Sequence, residues 1–527
     1  MAVIALASPL ACAQWSTDPA LNNPVADGPT DQVLPKIAAS PDGGCFISWF
    51  QNESGNYNVY MQRLNSSGVE QWPHGGVLVS NRPSLSSLVD YDLTADSAGN
   101  AVVVFTDARS GTDRDIHAYR VSAAGTPMWG PDGVTLSDDA IFEADPRVVQ
   151  NSSGDFVFVW PRLNGTAGGS GLVMQVLNPA GEKQLGVSGI LLLTGGAPND
   201  NPAFCEMVAA DDGSVIVSWV KDTRTFQSQR YVISQKYNAS GFSQWNAVAP
   251  VTISSAVVVP IAHRPKLVYD GAGGAVYTWH DTRNSNRFDA WVQHVNAAGV
   301  IQFPANGLQV STDSSMHHLD PAVAYNPGTS EIFVAWNERN SAQSQWGIYA
   351  QKIDATGFRE WGSFGRALLQ VDTINKLFPR ILTSGAGAMV FCLEQPNSPL
   401  PGDRVLGMSV DANGDFNWPV APVVVSSTIS TKGRLPVARL SDGAALIAWE
   451  DNRAGTVDVL AQRVNADGTL GGPPCPGDWN QDGGVNSQDF FDFLAAFFAG
   501  NADFNNSGTT DSQDFFDFVA AFFTGCP

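Results

Sequence analysis

A four-residue turn ending in glycine recurs eight times along the chain, and no other feature limits its fold so severely. The copies are Asn65-Ser-Ser-Gly68, Ser122-Ala-Ala-Gly125, Asn178-Pro-Ala-Gly181, Asn238-Ala-Ser-Gly241, Asn296-Ala-Ala-Gly299, Asp354-Ala-Thr-Gly357, Asp411-Ala-Asn-Gly414 and Asn465-Ala-Asp-Gly468. Their glycines are spaced by 57, 56, 60, 58, 58, 57 and 54 residues. Upstream of each, an aromatic closes a β-rich run: Trp49, Phe105, Trp160, Trp219, Trp279, Trp336, Phe391 and Trp449. In the first copy the alternation and turn signals mark strands near Lys36–Ala39, Cys45–Trp49, Val59–Leu64 and Gly76–Val79. A repeated four-stranded antiparallel unit with no helical period predicts an all-β fold, the blades of a β-propeller. Separate small sandwiches would need longer units and linkers between them.

The chain ends sharpen this expectation. Trp72, Trp129, Trp245, Trp361 and Trp418 each stand four residues after a turn glycine, with Leu185 and Phe303 in the third and fifth copies. The eighth copy has Gly472 there and runs into Gly-Gly-Pro-Pro. Its missing strand is available at the other end, where Gln14-Trp15 precedes Trp72 by one repeat length and Asn23-Pro-Val-Ala-Asp27 follows. The N-terminal segment is therefore expected to supply the fourth strand of blade eight, closing the ring and removing its open edges.

Of 527 residues, 51 are acidic and 29 basic, a formal net charge of −22. Charged residues make up only 15%, and 51 Gly with 32 Pro argue against a long-helix or coiled-coil protein. The acidic balance argues against nucleic acid or an anionic membrane as partner. Met1 to Ala13 is apolar and ends in Ala11-Cys12-Ala13, the pattern of a secretory cleavage site before Gln14, although the basic leader segment is missing. A buried N-terminal strand is the alternative. No later stretch is apolar for the ~18 residues a membrane span needs, so the chain reads as an exported protein. Cys45, Cys205 and Cys392 sit singly in apolar runs and read as core residues, whereas Cys475 and Cys526 bracket the C-terminal tail as a clasp would.

Several copies carry Asp-x-Arg after the aromatic: Asp107/Arg109, Asp222/Arg224, Asp281/Arg283 and Asp451/Arg453. Copy six has Glu338-Arg339. A motif shared by most blades is expected to brace them rather than to catalyse. His263, His280, His294 and His317-His318 cluster in and after copy five, and without metal-ligand spacing they read as scattered surface imidazoles. Glu143, Glu206, Glu331 and Glu394 are acid–base candidates only in the sense that any carboxylate is. Trp449-Glu-Asp-Asn-Arg453 with Ala461-Gln-Arg-Val464 resembles a repeat of secreted bacterial propellers of uncertain role. The Asp-box of propeller sialidases is absent, so this resemblance implies fold and almost no activity.

The tail is a different object. From Cys475 to Pro527 it holds eight Asp and no Glu, Lys or Arg. Two segments match each other 25 residues apart, and each offers oxygens in the register a hard divalent cation needs on a turning loop. The first presents Asp478, Asn480, Asp482, the Gly484 carbonyl, Asn486 and Asp489; the second presents Asp503, Asn505, Ser507, the Thr509 carbonyl, Asp511 and Asp514. Gly483 and Gly508 permit the sharp turn at position 6 of each loop. Two calcium ions are the expected cofactors. An amphipathic helix is expected after each loop, with Phe490, Phe493, Leu494 and Phe497 facing Phe515, Phe518, Val519 and Phe522. This leaves Phe491, Phe498, Phe516 and Phe523 off the stripe. The tail resembles a type I dockerin, with Asp at position 12 and flanking cysteines like the Gly-Cys variety at C-termini of planctomycete-type secreted proteins. That resemblance implies docking onto a cohesin-like module or cell-surface component through Ser487-Gln488 and Ser512-Gln513, with Phe491 and Phe516 beside them. Ser507 at position 5 departs from the usual Asp and marks the weaker site.

The expected organisation is a leader over 1–13, an eight-bladed propeller over 14–472 and a dockerin-like calcium module over 473–527. The expected function is an exported, non-catalytic binding or scaffolding propeller held by a calcium-dependent tail. The alternatives are a carbohydrate-active hydrolase or lyase delivered by that tail, acting on polysaccharide, and a structural or adhesive surface protein.

Overall fold

Eight antiparallel sheets follow one another in sequence, seven built from consecutive strands and the eighth completed by the first strand of the chain. The computed structural model describes residues 14–84, 90–109, 111, 114–138, 140–163, 170–194, 201–222, 230–246, 249–256, 259–260, 263–396, 402–473, 476–480, 485–505 and 507–524. The leader expected over 1–13 lies outside the described residues, as do Arg224, Cys475, Asp482, Gly483, Gly484 and Cys526.

Blade one comprises Gln32–Ala39, Cys45–Glu53, Asn56–Leu64 and Val77–Ser80. Its first three strands are longer than the alternation indicated, because pairing continues past a bulge at Leu34 and up to a tight turn at Ser54-Gly55. The ring closes as the repeat arithmetic requires. Asn23–Ala26 pairs antiparallel with Asp458–Val464, setting Asn23 opposite Ala461 and Ala26 opposite Val459. The two ends of the propeller chain thus share one blade.

The core lies between blades rather than within any one of them. One cluster joins Trp15, Val25, Leu446 and Ala448 of blade eight to Ile47 and Trp49 of blade one, and equivalent clusters fill the other junctions. The recurrent turn glycine belongs to this interlock. At Gly68 φ is 85°, and a Cβ there would lie 2.7 Å from the Trp15 ring. The Trp15 indole N–H donates to the Ser66 carbonyl at 2.9 Å, so the indole of one blade caps the turn of the next. Trp72, Trp129, Trp361 and Trp418 repeat the bond to Ala123, Pro179, Ala412 and Ala466. A Cβ at this site would clash with the ring and would strain the left-handed turn, so only glycine fits.

The Asp281/Arg283 and Asp451/Arg453 pairs brace blades, as expected from their recurrence. Asp281 accepts the Trp279 indole N–H at 3.0 Å and two Arg283 guanidinium bonds, while Arg283 also reaches the Asn306 carbonyl and Ser254 of the preceding blade. Asp451, Trp449 and Arg453 repeat the arrangement, with Arg453 tying in Ala20 and Asn22. Cys45, Cys205 and Cys392 are buried free thiols, and burial pushes the first two up to about 12.

The tail forms two helices, α1 (Ser487–Phe498) and α2 (Ser512–Thr524). Phe493 stacks on Phe518 with ring centroids 3.9 Å apart. Trp479 and Phe504, one from each preceding loop, complete this small core, a contribution the helical stripe alone does not predict. No helix among the described residues is long and apolar enough to cross a membrane.

Candidate functional site: a cation-lined channel

The inner strands converge on the ring axis, and each carries the same three-residue device. A buried middle residue (Pro35, Tyr91, Pro146, Cys205, Pro265, Pro321, Pro379 or Leu435) wedges between blades. The residue before it and the residue after it are left for the channel. In six blades the preceding residue is held at positive φ without being glycine: Leu34 (57°), Asp145 (50°), Phe204 (52°), Asp320 (49°), Phe378 (54°) and Arg434 (50°). The strand register slips across this point in blades one, four, six and seven, which is a β-bulge. Left-handed backbone in a branched or bulky residue is strained by ~1–3 kcal/mol, and strain of this kind concentrates where a side chain must be aimed. Here it is repeated around an axis.

The charges on this ring are unevenly distributed. On blades two to four the carboxylates are satisfied. Asp90 contacts Lys36 at 2.8 Å, Arg147 at 2.9 Å and Arg264 at 3.3 Å. Asp145 pairs with Arg264 at 2.9 Å, and Glu206 lies 3.3 Å from Arg147. Burial alone would raise the Asp90 carboxyl, but Lys36, Arg147 and Arg264 overcome it and hold that carboxyl well below the usual range. Glu206 falls to about 2, burial again being outweighed by Arg147, Lys266 and Arg264. Asp92, buried and taking the Val148 N–H at 3.0 Å, is raised.

The other side of the ring is cationic. A cavity of about 280 Å³ is lined by Lys36, Arg264, Lys266, Arg380 and Arg434 with Asp90 as its one carboxylate, and by Leu34, Pro35, Leu435 and Pro436. Arg380 bonds only the carbonyls of Leu435 and Pro379, and Arg434 has no hydrogen-bond or ion-pair partner among the described residues. Arg264 Nη1 is buried 3.3 Å from Asp90 Oδ2. Lys266 stands 3.7 Å from Glu206, beyond hydrogen-bond reach, with its side chain 44% exposed to the cavity. Burial lowers its pKa; Glu206 opposes that fall, and the guanidiniums of Arg380, Arg264 and Arg147 add to it. Phe204 lies under the Arg264 guanidinium at 5.3 Å, and Phe378 is 40% exposed. In a chain of net charge −22, this concentration of positive charge is a binding feature in its own right.

Beside the channel, ligand atoms of His263, His280 and Asp320 lie within 4.8 Å of one another. These imidazoles are buried, which corrects the surface reading of the sequence. His280 Nδ1 accepts the Asp320 N–H at 3.1 Å, and His263 Nε2 accepts the His280 N–H at 3.3 Å. Each ring has spent its lone pair on a backbone N–H, so the remaining nitrogens carry protons and present donors rather than metal ligands. Burial holds both rings neutral, His280 at about 4. His318 is also buried, between Asp289 at 3.1 Å and Glu338 at 3.5 Å. Of the other glutamates, Glu143 takes the Trp160 indole N–H at 2.7 Å, Glu331 pairs with Lys352 at 2.6 Å and Glu394 with Arg404 at 2.5 Å.

In the tail, Asp503 accepts the Ser507 and Gly508 N–H groups at 2.8 and 2.7 Å, winding the second loop around its carboxylate. Asp514 takes the N–H of Asn505 at 3.0 Å and of Asp511 at 2.8 Å; Asp489 takes those of Asn480 at 3.1 Å and Asn486 at 2.8 Å. Asn486 also caps α1 through the Gln488 N–H, as Asp511 accepts the Gln513 N–H. Ser487, Gln488, Ser512 and Gln513 are exposed in the first helical turns, and Phe491 and Phe516 are 62% and 63% exposed.

The channel residues were missed by sequence reasoning. A signal was available in the copies Leu34-Pro-Lys36, Asp145-Pro-Arg147, Arg264-Pro-Lys266, Asp320-Pro-Ala322 and Phe378-Pro-Arg380. It recurs with the blade period but matches no chemical motif.

No protein-family model and no curated protein matches this sequence. Among solved structures, a polysaccharide lyase is 10% identical with a TM-score of 0.42, over 84% of this chain and 91% of its own. An ulvan lyase is 9% identical with a TM-score of 0.44, over 84% and 96%. An α-L-arabinanase of Penicillium chrysogenum is 12% identical with a TM-score of 0.36, over 64% and 98%. The likeness is one of propeller architecture and assigns no residue of this chain a role.

Proposed function

We propose that this is an exported carbohydrate-active propeller that takes an acidic polysaccharide at its channel, tethered by a calcium-loaded dockerin-type tail. One observation carries the first half: five cationic side chains face one cavity against a single carboxylate, in a strongly acidic chain. A cavity at the small end of ligand sites (~300 Å³) with apolar walls and convergent polar groups suits one ring of a sugar polymer. The guanidiniums suit a carboxylate or sulfate on it. Exposed Phe378 adds a flat apolar surface at the channel. Asp90, Asp145 and Glu206 are all held by cations, so none of the three supports a carboxylate pair for hydrolysis. The cationic channel supports the polysaccharide-directed alternative that the sequence reading placed second.

For the tail, the donor set is all oxygen, and no lysine or arginine occurs from Cys475 onward to neutralise it. Such a set suits a hard cation. Asp478, Asn480, Asp482, Gly484, Asn486 and Asp489 would hold one ion, and Asp503, Asn505, Ser507, Thr509, Asp511 and Asp514 the other. When bound, calcium would neutralise the loop carboxylates and fix the two loops, presenting Ser487-Gln488 and Ser512-Gln513 to a cohesin-like partner.

The test is affinity electrophoresis of the full chain through gels containing alginate, polygalacturonate, carrageenan or dextran. Acidic polymers should retard the protein, less so at high salt, and dextran should not. Equal retardation in dextran, or none in any acidic polymer, would remove the reading.

A further inference from the structure

One of the five channel cations is a lysine amine that no carboxylate hydrogen-bonds. Lys266 projects into the cavity, hydrogen-bonds no described residue, and shares the wall with Arg264, Arg380 and Arg434. Resting on the acidic-polysaccharide reading, we propose that the site cleaves a uronate-containing polysaccharide by β-elimination, with Lys266 as the base and Arg380 and Arg434 holding the uronate carboxylate.

The chemistry follows from the surroundings. A lysine amine acts as a base only if its proton can be shed near neutral pH, and desolvation beside other cations has that effect. Lys266 is 44% exposed, so the cations beside it are the condition it meets: Arg264 and Arg380 line the same cavity, and its one opposing carboxylate, Glu206, is shared with Arg147. The hydrogen to be removed lies on the carbon next to a carboxylate. It becomes acidic enough when the charge moving onto the carboxylate oxygens is met by fixed cations. Arg434, without a partner among the described residues, and Arg380, bonded only to carbonyls, are free to meet it, whereas Arg264 is already held by Asp145 and Asp90.

The step balances without a further reactant. The free amine of Lys266 removes the proton, and the electron pair shifts toward the carboxylate. The C–O bond at the β carbon then breaks as a C=C bond forms. The departing oxygen takes the proton back from the Lys266 ammonium and leaves as a hydroxyl. No water is consumed, and the new chain end carries a double bond conjugated with its carboxylate.

The experiment incubates the full-length protein with polygalacturonate, alginate and hyaluronan, following ultraviolet absorbance of the conjugated end and reducing ends in parallel. Carrageenan, sulfated but free of uronate, is the control. We expect both signals to rise together on at least one uronate polymer and absorbance to stay flat on carrageenan. Lys266→Met should lower kcat by ~100-fold or more. Lys266→Arg, which keeps the charge but cannot give up its proton, should keep KM near the wild-type value while losing turnover. The wild-type rate should also rise with pH along a limb that Lys266→Arg lacks. Unchanged melting temperatures would show that both variants fold. Reducing ends without absorbance would overturn the elimination, as would retardation by uronate polymers without cleavage, and binding would survive either result. No retardation by any uronate polymer would sink the elimination, and none by carrageenan either would sink the binding reading with it.

Discussion

Arg434 and Glu206 show how much a single position can be asked to do in this ring. Arg434 sits at φ 50°, a conformation glycine adopts without strain. Arg434→Gly should therefore remove one channel cation while leaving stability unchanged or raised by up to ~1 kcal/mol. Retardation by acidic polymers should weaken, measured beside a denaturant melt; a large loss of stability would show the guanidinium to be a structural brace. Glu206 has the opposite character. Its carboxyl is held at about 2 against an ordinary 4.5, so the folded state favours the ionised form. That stabilisation is complete above pH 4.5 and is lost as pH falls toward 2. It amounts to at most about 3 kcal/mol. Glu206→Gln should be less stable than the wild type at pH 7 and close to it at pH 2, so the gap between their denaturation midpoints should narrow with acidification. A constant gap would mean that packing, not charge, sets the role of Glu206.

Each blade is held to the next by an element-level clasp: the indole after one turn, the glycine of the next turn, and the strand that completes the ring. Gly181 has φ 87°, and a Cβ there would stand 2.7 Å from Trp129. Gly181→Ala should cost about 2 kcal/mol or more, from strain and overlap together. Removing residues 14–26 would leave Asp458–Val464 as an open edge and strip Trp15 and Val25 from the junction with blade one. The expected result is aggregation or a marked fall in melting temperature, seen by size-exclusion chromatography and calorimetry. These clasps could be read in advance because each blade solves the same local problem with the same residues. Trp15 was recognisable from spacing as the counterpart of Trp72 one repeat earlier, whereas its seat over the Gly68 turn came from the structure. The inner-strand bulges were not, since a positive φ at Leu34 or Phe378 leaves no mark on the sequence.

The whole molecule combines two architectures with different sources of stability, a ring closed by strands and a small helix pair on acidic loops. The propeller has buried junctions all round, whereas the tail core rests on Phe493, Ala502 and Phe518 with a partly buried surround. Ligand that binds only the folded form raises its stability. Calorimetry of the full chain should thus show a tail transition that rises with calcium and falls in chelator, and a propeller transition that does not move. Asp489→Ala with Asp514→Ala should abolish the calcium response. A tail transition indifferent to chelator would dismiss the calcium assignment.

The sequence by itself determined the number of blades, the sharing of blade eight between the two ends, and the paired oxygen registers of the tail. All of these are local patterns repeated at a fixed distance, and a repeat forces its copies into equivalent positions. Only the tertiary structure decided which charges meet. Lys36, Arg264, Lys266, Arg380 and Arg434 come from four separate copies, each unremarkable where it stands, and they share a cavity only because ring closure brings every inner strand to one axis. The balance of charge at that axis is a sum over all eight copies. Since carboxylates and cations differ from copy to copy, no single repeat carries the asymmetry that makes the channel a site.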